Sequence, residues 1–185
     1  MGAREESTSS VVLAEKVDID ELAAVYRRVH VADLHLIDHS EPSVEDRLIA
    51  TVRAPGAQTA LGYVDGQLVG AVMGCPLPAE TLWWRDLTDV DDPKLVEEWD
   101  GRTFAICEAF VDPAAQRHRI GVRLFAELLD QRTEERTSLA VAETNTRVWR
   151  ALQGLKFQHV GDLIPFPGWR SHRMLVRALP LSSSR

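Results

Sequence analysis

The alternation of hydrophobic and polar residues divides the chain into short strands and amphipathic helices. Phe104 to Val111 is an apolar run of strand length, interrupted only by Glu108, which predicts a buried strand carrying one carboxylate. Asp112-Pro113 ends this strand, because proline has no N–H to donate to a sheet. The residues that follow show helical spacing of apolar side chains, at Ile120, Leu124, Phe125, Leu128 and Leu129.

The rest of the pattern predicts further elements around this strand, loop and helix. Asp65-Gly66 lies between two apolar stretches, 58–64 and 67–73, and predicts an antiparallel hairpin. Residues 1–10 and 180–185 are expected to be a disordered and a flexible tail, which leaves one domain over 11–179. The other expected strands are 11–13, 137–141, 157–164 and 173–178, and the other expected helices run from Asp18 to about Val31, from Ser43 to before Pro55, and across 148–155.

Composition narrows the class of protein. A chain of 185 residues is long enough for one domain with a full core, and its net charge of −7 argues against nucleic acid as the main partner. The two cysteines, Cys75 and Cys107, lack a CxxC partner, so they indicate neither a zinc site nor a disulfide framework and suit a cytoplasmic protein. The N-terminus lacks the apolar core of a secretion signal, and no run reaches membrane-spanning length, so no membrane association is expected.

The loop before Ile120 is polar and cationic, and it opens a helix. Helix N-termini leave backbone N–H groups unpaired and carry partial positive charge, which suits phosphate oxygens. Gly121 allows close approach to the backbone, and Arg117, Arg119 and Arg123 add positive charge. This combination predicts a diphosphate cradle; the alternative is a set of solvated arginines in an ordinary α/β domain.

At this point the chain resembles the GNAT acyltransferase superfamily. The family pattern is a strand ending in Val-x-Pro, then Gln/Arg-x-x-Gly-x-Gly/Ala at a helix start. Val111-Asp112-Pro113 and the stretch 116–121 match it, except that Arg119 stands in place of the first glycine. Asn145 matches a second family position, whereas Lys156-Phe157 replaces Gly-Phe and Leu152 replaces a tyrosine that commonly protonates the departing thiolate.

The resemblance implies an α/β (α+β) fold, with a mixed, mostly antiparallel central sheet flanked by helices. It also implies acetyl transfer from acetyl-CoA to an amine in a direct ternary complex, by a protein that is often a homodimer. Backbone N–H groups of 116–122 would hold the diphosphate, and the N–H of Phe110 or Val111 would polarise the thioester carbonyl where the strand separates from its neighbour beyond Asp112. The expected co-substrate-binding residues are therefore Phe110, Val111, Gln116, Arg117, His118, Arg119, Ile120, Gly121, Val122 and Asn145.

Glu108 is the expected catalytic base. It is the sole ionisable residue of the central strand, where desolvation raises a carboxyl pKa toward a useful range. Regular alternation places it on one face with Ile106 and Phe110. The alternative is a buried carboxylate paired with Arg102 or Arg173. For the missing acid the weak candidates are His172, His35 and Tyr26.

Two segments are candidates for the acceptor site. Residues 77–102 form a long polar excursion whose Trp83 and Trp84 either cover an acceptor pocket or anchor the loop to the core. Residues 30–39 carry three histidines and two aspartates, which suggests a metal site, a polar pocket wall or a solvated loop; no metal is expected, because the spacing matches no ligand pattern. His35, Trp83 and Trp84 are the expected acceptor-binding residues.

The sequence therefore predicts an acyl-CoA-dependent N-acyltransferase. A lid with aromatic residues favours a small-molecule amine over a protein lysine or N-terminus, because an extended peptide needs an open groove. A second hypothesis is a catalytically silent acyl-CoA-binding domain, which Leu152 and Arg119 would support. The sequence leaves the acceptor, the acyl chain and the oligomeric state open.

Overall fold

A seven-stranded sheet carries the fold in the computed structural model, which describes residues 7–181 except for the side chains of Gln116 and Arg117. The sheet order is β1-β2-β3-β4-β5-β7-β6, and every neighbouring pair is antiparallel except β4–β5. The strands are β1 (Ser9–Leu13), β2 (Gln58–Val64), β3 (Gln67–Pro76), β4 (Thr103–Val111), β5 (Arg136–Ala142), β6 (Gln158–Leu163) and β7 (His172–Ala178). The helices are α1 (Ile19–Val29), α2 (Val44–Arg53), α3 (Ile120–Leu129) and α4 (Thr146–Gly154).

The predicted mixed, mostly antiparallel sheet is confirmed, with one difference at the N-terminus. Ser9 and Ser10 pair with Val64 and Tyr63 in the sheet, so they are not part of a disordered tail. Ser7 and Thr8 hydrogen-bond Asp65, and Leu181 packs against the core, whereas the tail residues 1–6 and 182–185 lie outside the described residues.

Side-chain caps start three of the helices, and the sequence predicts two of these caps, Asp18 and Ser43. Asp18 accepts the Glu21 N–H at 3.0 Å before α1, and Ser43 accepts the Asp46 N–H at 3.1 Å before α2. Asn145 caps α4 in the same way. These caps satisfy N–H groups that would otherwise be unpaired at a helix start.

Helices cover both faces of the sheet. On one face α3 packs over a cluster that includes Phe104, Ile106 and Leu124. On the other face α1 and α2 pack over Phe110 and Met73. Both faces of β4 are therefore buried along much of its length, as its apolar sequence predicts.

A one-residue bulge in β4 changes which face its side chains meet. Met73 pairs with Glu108 and the next residue, Gly74, pairs with Ile106, so Cys107 has no partner in β3. Ile106 packs against α3, whereas Glu108 reaches α2. The prediction that both residues share one face is wrong, because the extra residue reverses the alternation.

The parallel join between β4 and β5 is short. It comprises only three register pairs, Thr103 to Ala105 of β4 with Arg136 to Ser138 of β5. The strands therefore separate after Ala105, well before the expected point beyond Asp112. The outer half of β4 thus presents one backbone edge to an opening in the sheet.

Within residues 7–181, no helix has the length and apolar character required to span a bilayer.

Candidate active site

One cavity occupies the opening between β4 and β5. Its volume is about 1340 Å³, and it runs from the start of α3, past Glu108, to the loops that follow α1 and β6. It has room for an extended ligand together with a small second molecule. Most of the candidate residues can be placed relative to this cavity.

Glu108 lies in the cavity wall in an ion pair with Arg47 of α2. Arg47 Nε donates to Glu108 Oε1 at 2.7 Å, and the two side chains are only 9% and 13% exposed. Burial raises the pKa of the Glu108 carboxyl above its usual range, and the Arg47 guanidinium opposes that rise. The predicted alternative partners lie elsewhere: Arg102 bonds carbonyls of the excursion, and Arg173 stacks on Trp149.

Aromatic rings flank the guanidinium of Arg47. Its central carbon lies 5.3 Å from the centre of the Tyr26 ring and 5.6 Å from that of Trp169. Nη1 donates to the Pro42 carbonyl at 2.7 Å. These contacts fix Arg47, and through it they fix the orientation of the Glu108 carboxylate.

A hydrogen-bonded chain extends from Tyr26 along the cavity wall. The Tyr26 hydroxyl lies 2.7 Å from His39 Nδ1, and Arg170 Nη2 lies 3.3 Å from His39 Nε2. Because a guanidinium only donates, Nε2 accepts and Nδ1–H donates to the Tyr26 oxygen. Arg170 also binds the buried Asp38 at 2.6 Å. Burial raises the pKa of Tyr26 to about 12.

The histidine-rich segment brings three possible metal ligands together. Atoms of His30, Asp33 and His39 lie within 4.8 Å of one another. Both ring nitrogens of His39, however, already have the partners Tyr26 and Arg170, and the Arg170 guanidinium carries positive charge beside them. The cluster is therefore accounted for as a polar pocket wall, one of the three predicted alternatives.

The predicted diphosphate cradle forms one end of the cavity. Arg119, Ile120, Gly121 and Val122 line it at the start of α3, where the first N–H groups have no partner within the helix. A Cβ built on Gly121 would meet only a Val111 methyl, at 3.9 Å, so a ligand has room to approach the backbone. This geometry suits an anion such as a diphosphate.

The other predicted cradle residues precede α3. Gln116, Arg117 and His118 belong to a short 3-10 helix, Pro113–His118. The His118 side chain is half-buried and lies away from the cavity wall. The side chains of Gln116 and Arg117 are outside the described part of the structure.

The register of β4 decides which backbone N–H groups face the opening. Asp112 N–H donates to the Val69 carbonyl of β3 at 2.7 Å, so alternation turns Phe110 N–H toward β3 and Val111 N–H toward the cavity. Of the two predicted donors, only Val111 is therefore oriented toward a ligand in the opening. Ala109, two residues earlier, is oriented in the same way.

Helix α4 forms the opposite wall. Asn145 lines the cavity and accepts the Val148 N–H at 3.2 Å as the helix cap, which fixes its side chain at the wall. Leu152, at the position expected for a tyrosine, is buried and presents an apolar side chain to the cavity.

The three predicted acceptor residues fall in different places. Trp83 lines the cavity, and its Nε1 donates to Ser138 Oγ at 3.0 Å. Trp84 is buried away from the cavity and binds Glu98 at 2.8 Å, so it anchors the excursion to the core, as the alternative reading proposes. His35 is exposed, outside the cavity wall.

Sequence reasoning missed Arg47, Trp169 and Arg170. Arg47 has a detectable signal, because it shares the apolar face of α2 with Val44, Leu48 and Thr51 at helical spacing. A cation on a buried helical face requires a buried partner. Trp169 and Arg170 lie in an irregular connection, where periodicity carries no information.

Comparisons with known proteins agree with this fold. A model of the acetyltransferase (GNAT) family matches residues 20–157, and no curated protein sequence matches significantly. The structure is similar to the ribosomal-protein-S18-alanine N-acetyltransferase of Escherichia coli, with 15% identity, a TM-score of 0.62, and coverage of 96% of this chain and 97% of that one.

Two further solved structures share the fold. An aminoglycoside 6'-acetyltransferase type Ii is 14% identical, with a TM-score of 0.62 and coverage of 91% of this chain and 98% of that one. A variant of spermidine N-acetyltransferase from Vibrio cholerae is 11% identical, with a TM-score of 0.56 and coverage of 92% and 93%. At these identities the likeness concerns the fold alone.

Proposed function

Because the chain belongs to the GNAT acetyltransferase family, whose members use acetyl-CoA as co-substrate, we propose that it acetylates the primary amine of a small molecule. The observation that carries this proposal is the single cavity that joins the start of α3 to the Glu108 carboxylate through the opening beside β4. A shared cavity allows the co-substrate and the acceptor to react directly, without an enzyme-bound intermediate.

In this proposal the main chain holds acetyl-CoA. The N–H groups of Ile120, Gly121 and Val122 bind the diphosphate, with Arg119 beside them. The backbone N–H of Val111 bonds the thioester or the pantetheine arm, and Asn145 lines the other side of that arm.

Glu108 accepts the proton that the acceptor ammonium must lose, directly or through one water molecule. The amine nitrogen then attacks the thioester carbonyl carbon, the C–N bond forms as the C–S bond breaks, and the second proton of the amine passes to the departing thiolate. Its raised pKa makes Glu108 a better base than an exposed carboxylate. Arg47 holds the carboxylate in place and favours its ionised form, in opposition to the effect of burial.

The thiolate leaves without a protein acid in this scheme. Tyr26, at a pKa of about 12, is too weak an acid to protonate a thiolate whose thiol has a pKa of about 8.5. His172 donates Nδ1–H to the Arg170 carbonyl at 2.8 Å, and burial lowers its pKa, so its other nitrogen carries no proton at neutral pH. His35 is exposed outside the cavity.

The test is the Glu108→Gln variant in a thiol-release assay with an amine panel. We expect kcat to fall by about 10² to 10⁴ while the Kd for acetyl-CoA, measured by calorimetry, changes little. Glu134→Gln is a matched control, because Glu134 is also buried and paired with an arginine, Arg132, but lies away from the cavity.

Two outcomes contradict the proposal. Full activity in Glu108→Gln would remove Glu108 from the reaction. Tight acetyl-CoA binding with no thiol release for any amine or peptide would favour the catalytically silent binding domain, for which Leu152 and the Glu108–Arg47 ion pair are the structural support.

A further inference from the structure

Exposed apolar side chains gather at the cavity. The described residues include nine exposed large hydrophobic side chains, and five of them line this cavity. Three come from the loops on its rim: Leu82 of the excursion, and Ile164 and Phe166 of the β6–β7 connection, which are 63%, 58% and 41% exposed. We call these three residues the apolar mouth. An apolar patch on the rim of a pocket is typical of a binding surface.

An aromatic wall leads from the apolar mouth to Glu108. The Phe166 ring lies 4.8 Å from the Trp169 ring, and Trp169 lies 5.6 Å from the Arg47 guanidinium, which binds Glu108. Trp169 Nε1 donates to the Glu41 carbonyl at 2.7 Å, which fixes the indole. A ligand whose amine lies near Glu108 would therefore place the rest of its structure against aromatic and aliphatic surface.

The loops that carry the mouth are held to each other. Thr88 of the excursion and Asp162 of β6 exchange backbone hydrogen bonds of 2.8 and 3.0 Å. The mouth is therefore a built surface, because its two loops are held together by the main chain. Such preorganisation lowers the entropic cost of binding.

The charges at this end of the cavity are largely neutralised within the protein. Glu108 pairs with Arg47, Asp38 with Arg170, and Asp86 with Arg85. In the part of the chain that the structure describes, Asp33 is the remaining carboxylate of this wall without an arginine or lysine partner. The wall thus complements one positive charge, whereas a polyamine would bring charges that have no partners there.

We propose that the acceptor is a primary monoamine with an apolar alkyl or aryl body, which the apolar mouth and Trp169 bind while the amine lies near Glu108. This inference rests on the proposed function for its chemistry and names the class of acceptor. It distinguishes the protein from enzymes that act on polycationic amines.

The test compares 2-phenylethylamine, ethylamine and butane-1,4-diamine as acceptors at saturating acetyl-CoA. We expect kcat/KM for 2-phenylethylamine to exceed that for each of the others by about tenfold or more, since burial of a phenyl group provides a discrimination of this order. Phe166→Ala should lower kcat/KM for 2-phenylethylamine about fivefold to tenfold more than for ethylamine. Trp99→Ala is the matched control, because Trp99 is also 41% exposed but lies outside the cavity.

Three results would overturn the inference. They are a higher kcat/KM for the diamine than for 2-phenylethylamine, an equal effect of Phe166→Ala on kcat/KM for all three amines, and acetylation of peptide N-termini alone. Absence of thiol release with every amine would contradict the proposed function instead. In that case, calorimetric titration of 2-phenylethylamine into CoA-saturated protein tests the apolar mouth separately. Binding weakened by Phe166→Ala sustains the site, and no binding overturns it.

Discussion

Two cationic residues adopt backbone conformations that favour glycine. Arg119, at the start of α3, has φ 54°, and Lys156, after α4, has φ 63°. Both replace glycines of the family pattern, so the backbone geometry is kept although the residue type has changed. An L-residue with a side chain adopts this left-handed region at a cost of about 1 kcal/mol.

Lys156→Gly should raise the free energy of unfolding by about 1 kcal/mol. The N–H of Lys156 binds the Gln153 carbonyl at 2.8 Å and that of Phe157 binds the Leu152 carbonyl at 3.0 Å, which is the hydrogen-bond pattern of a helix ending in glycine. Urea denaturation measures the change. Lys156→Ala is the control, because it removes the charge and keeps the strain; an equal gain in both variants would contradict the conformational explanation.

At the scale of elements, the bulge at Cys107 determines where the site forms. It turns Glu108 away from the α3 core and toward α2, where Arg47 binds it. Gly74 of β3 lies opposite the bulge, and a Cβ there would come within 2.0 Å of the Ala105 carbonyl oxygen. The close approach of the two strands at this point therefore requires glycine.

Gly74→Ala should lower the free energy of unfolding by about 2 to 3 kcal/mol, because the clash involves backbone that must shift. Activity per folded molecule should also fall, since β4 carries Glu108 beside the clash. Gly154→Ala provides the contrast: nothing lies within 4 Å of its Cβ position in α4, so helix propensity favours the alanine. Wild-type stability in Gly74→Ala would show that the strands have more room than the structure indicates.

Local pattern was sufficient to predict most elements but not the site as a whole. Interactions between residues close in sequence were enough to predict three features: the Asp65-Gly66 hairpin, the helix caps Asp18 and Ser43, and the succession of β4, loop and α3. The structure confirms all three. The bulge does not follow, because period-two alternation assumes an unbroken register. The ion pair of Arg47 and Glu108 joins residues 61 positions apart, and only the packing of α2 on β4 brings them together.

At the scale of the whole molecule, buried histidines should make the fold sensitive to acid. Burial lowers the pKa of His30 to about 4, from 6.5, and it lowers that of His39 in the same direction. Between about pH 4 and pH 6.5 the native state therefore binds fewer protons at His30 than the unfolded state does. The contribution of His30 to stability is complete above about pH 6.5 and is lost progressively as the pH falls to about 4, and His39 acts in the same direction.

His30→Phe should flatten the fall in melting temperature between pH 6.5 and 4, because it removes one of the titrating histidines while keeping a ring beside Tyr26. Thermal denaturation across this range measures the slope. His35→Phe, at an exposed position, should retain the wild-type slope. An unchanged slope in His30→Phe would assign the acid sensitivity to other groups.

The short parallel join described above, three register pairs between β4 and β5, has a consequence for the lifetime of the protein in a cell. A ligand bound in the opening between the two strands stabilises the folded state, and at a hundredfold excess over its Kd it adds about 2.7 kcal/mol to the free energy of unfolding. Proteases degrade the unfolded chain, so a change of this size alters steady-state abundance several-fold. The amount of the protein would then rise and fall with the supply of acetyl-CoA, without any change in the expression of its gene.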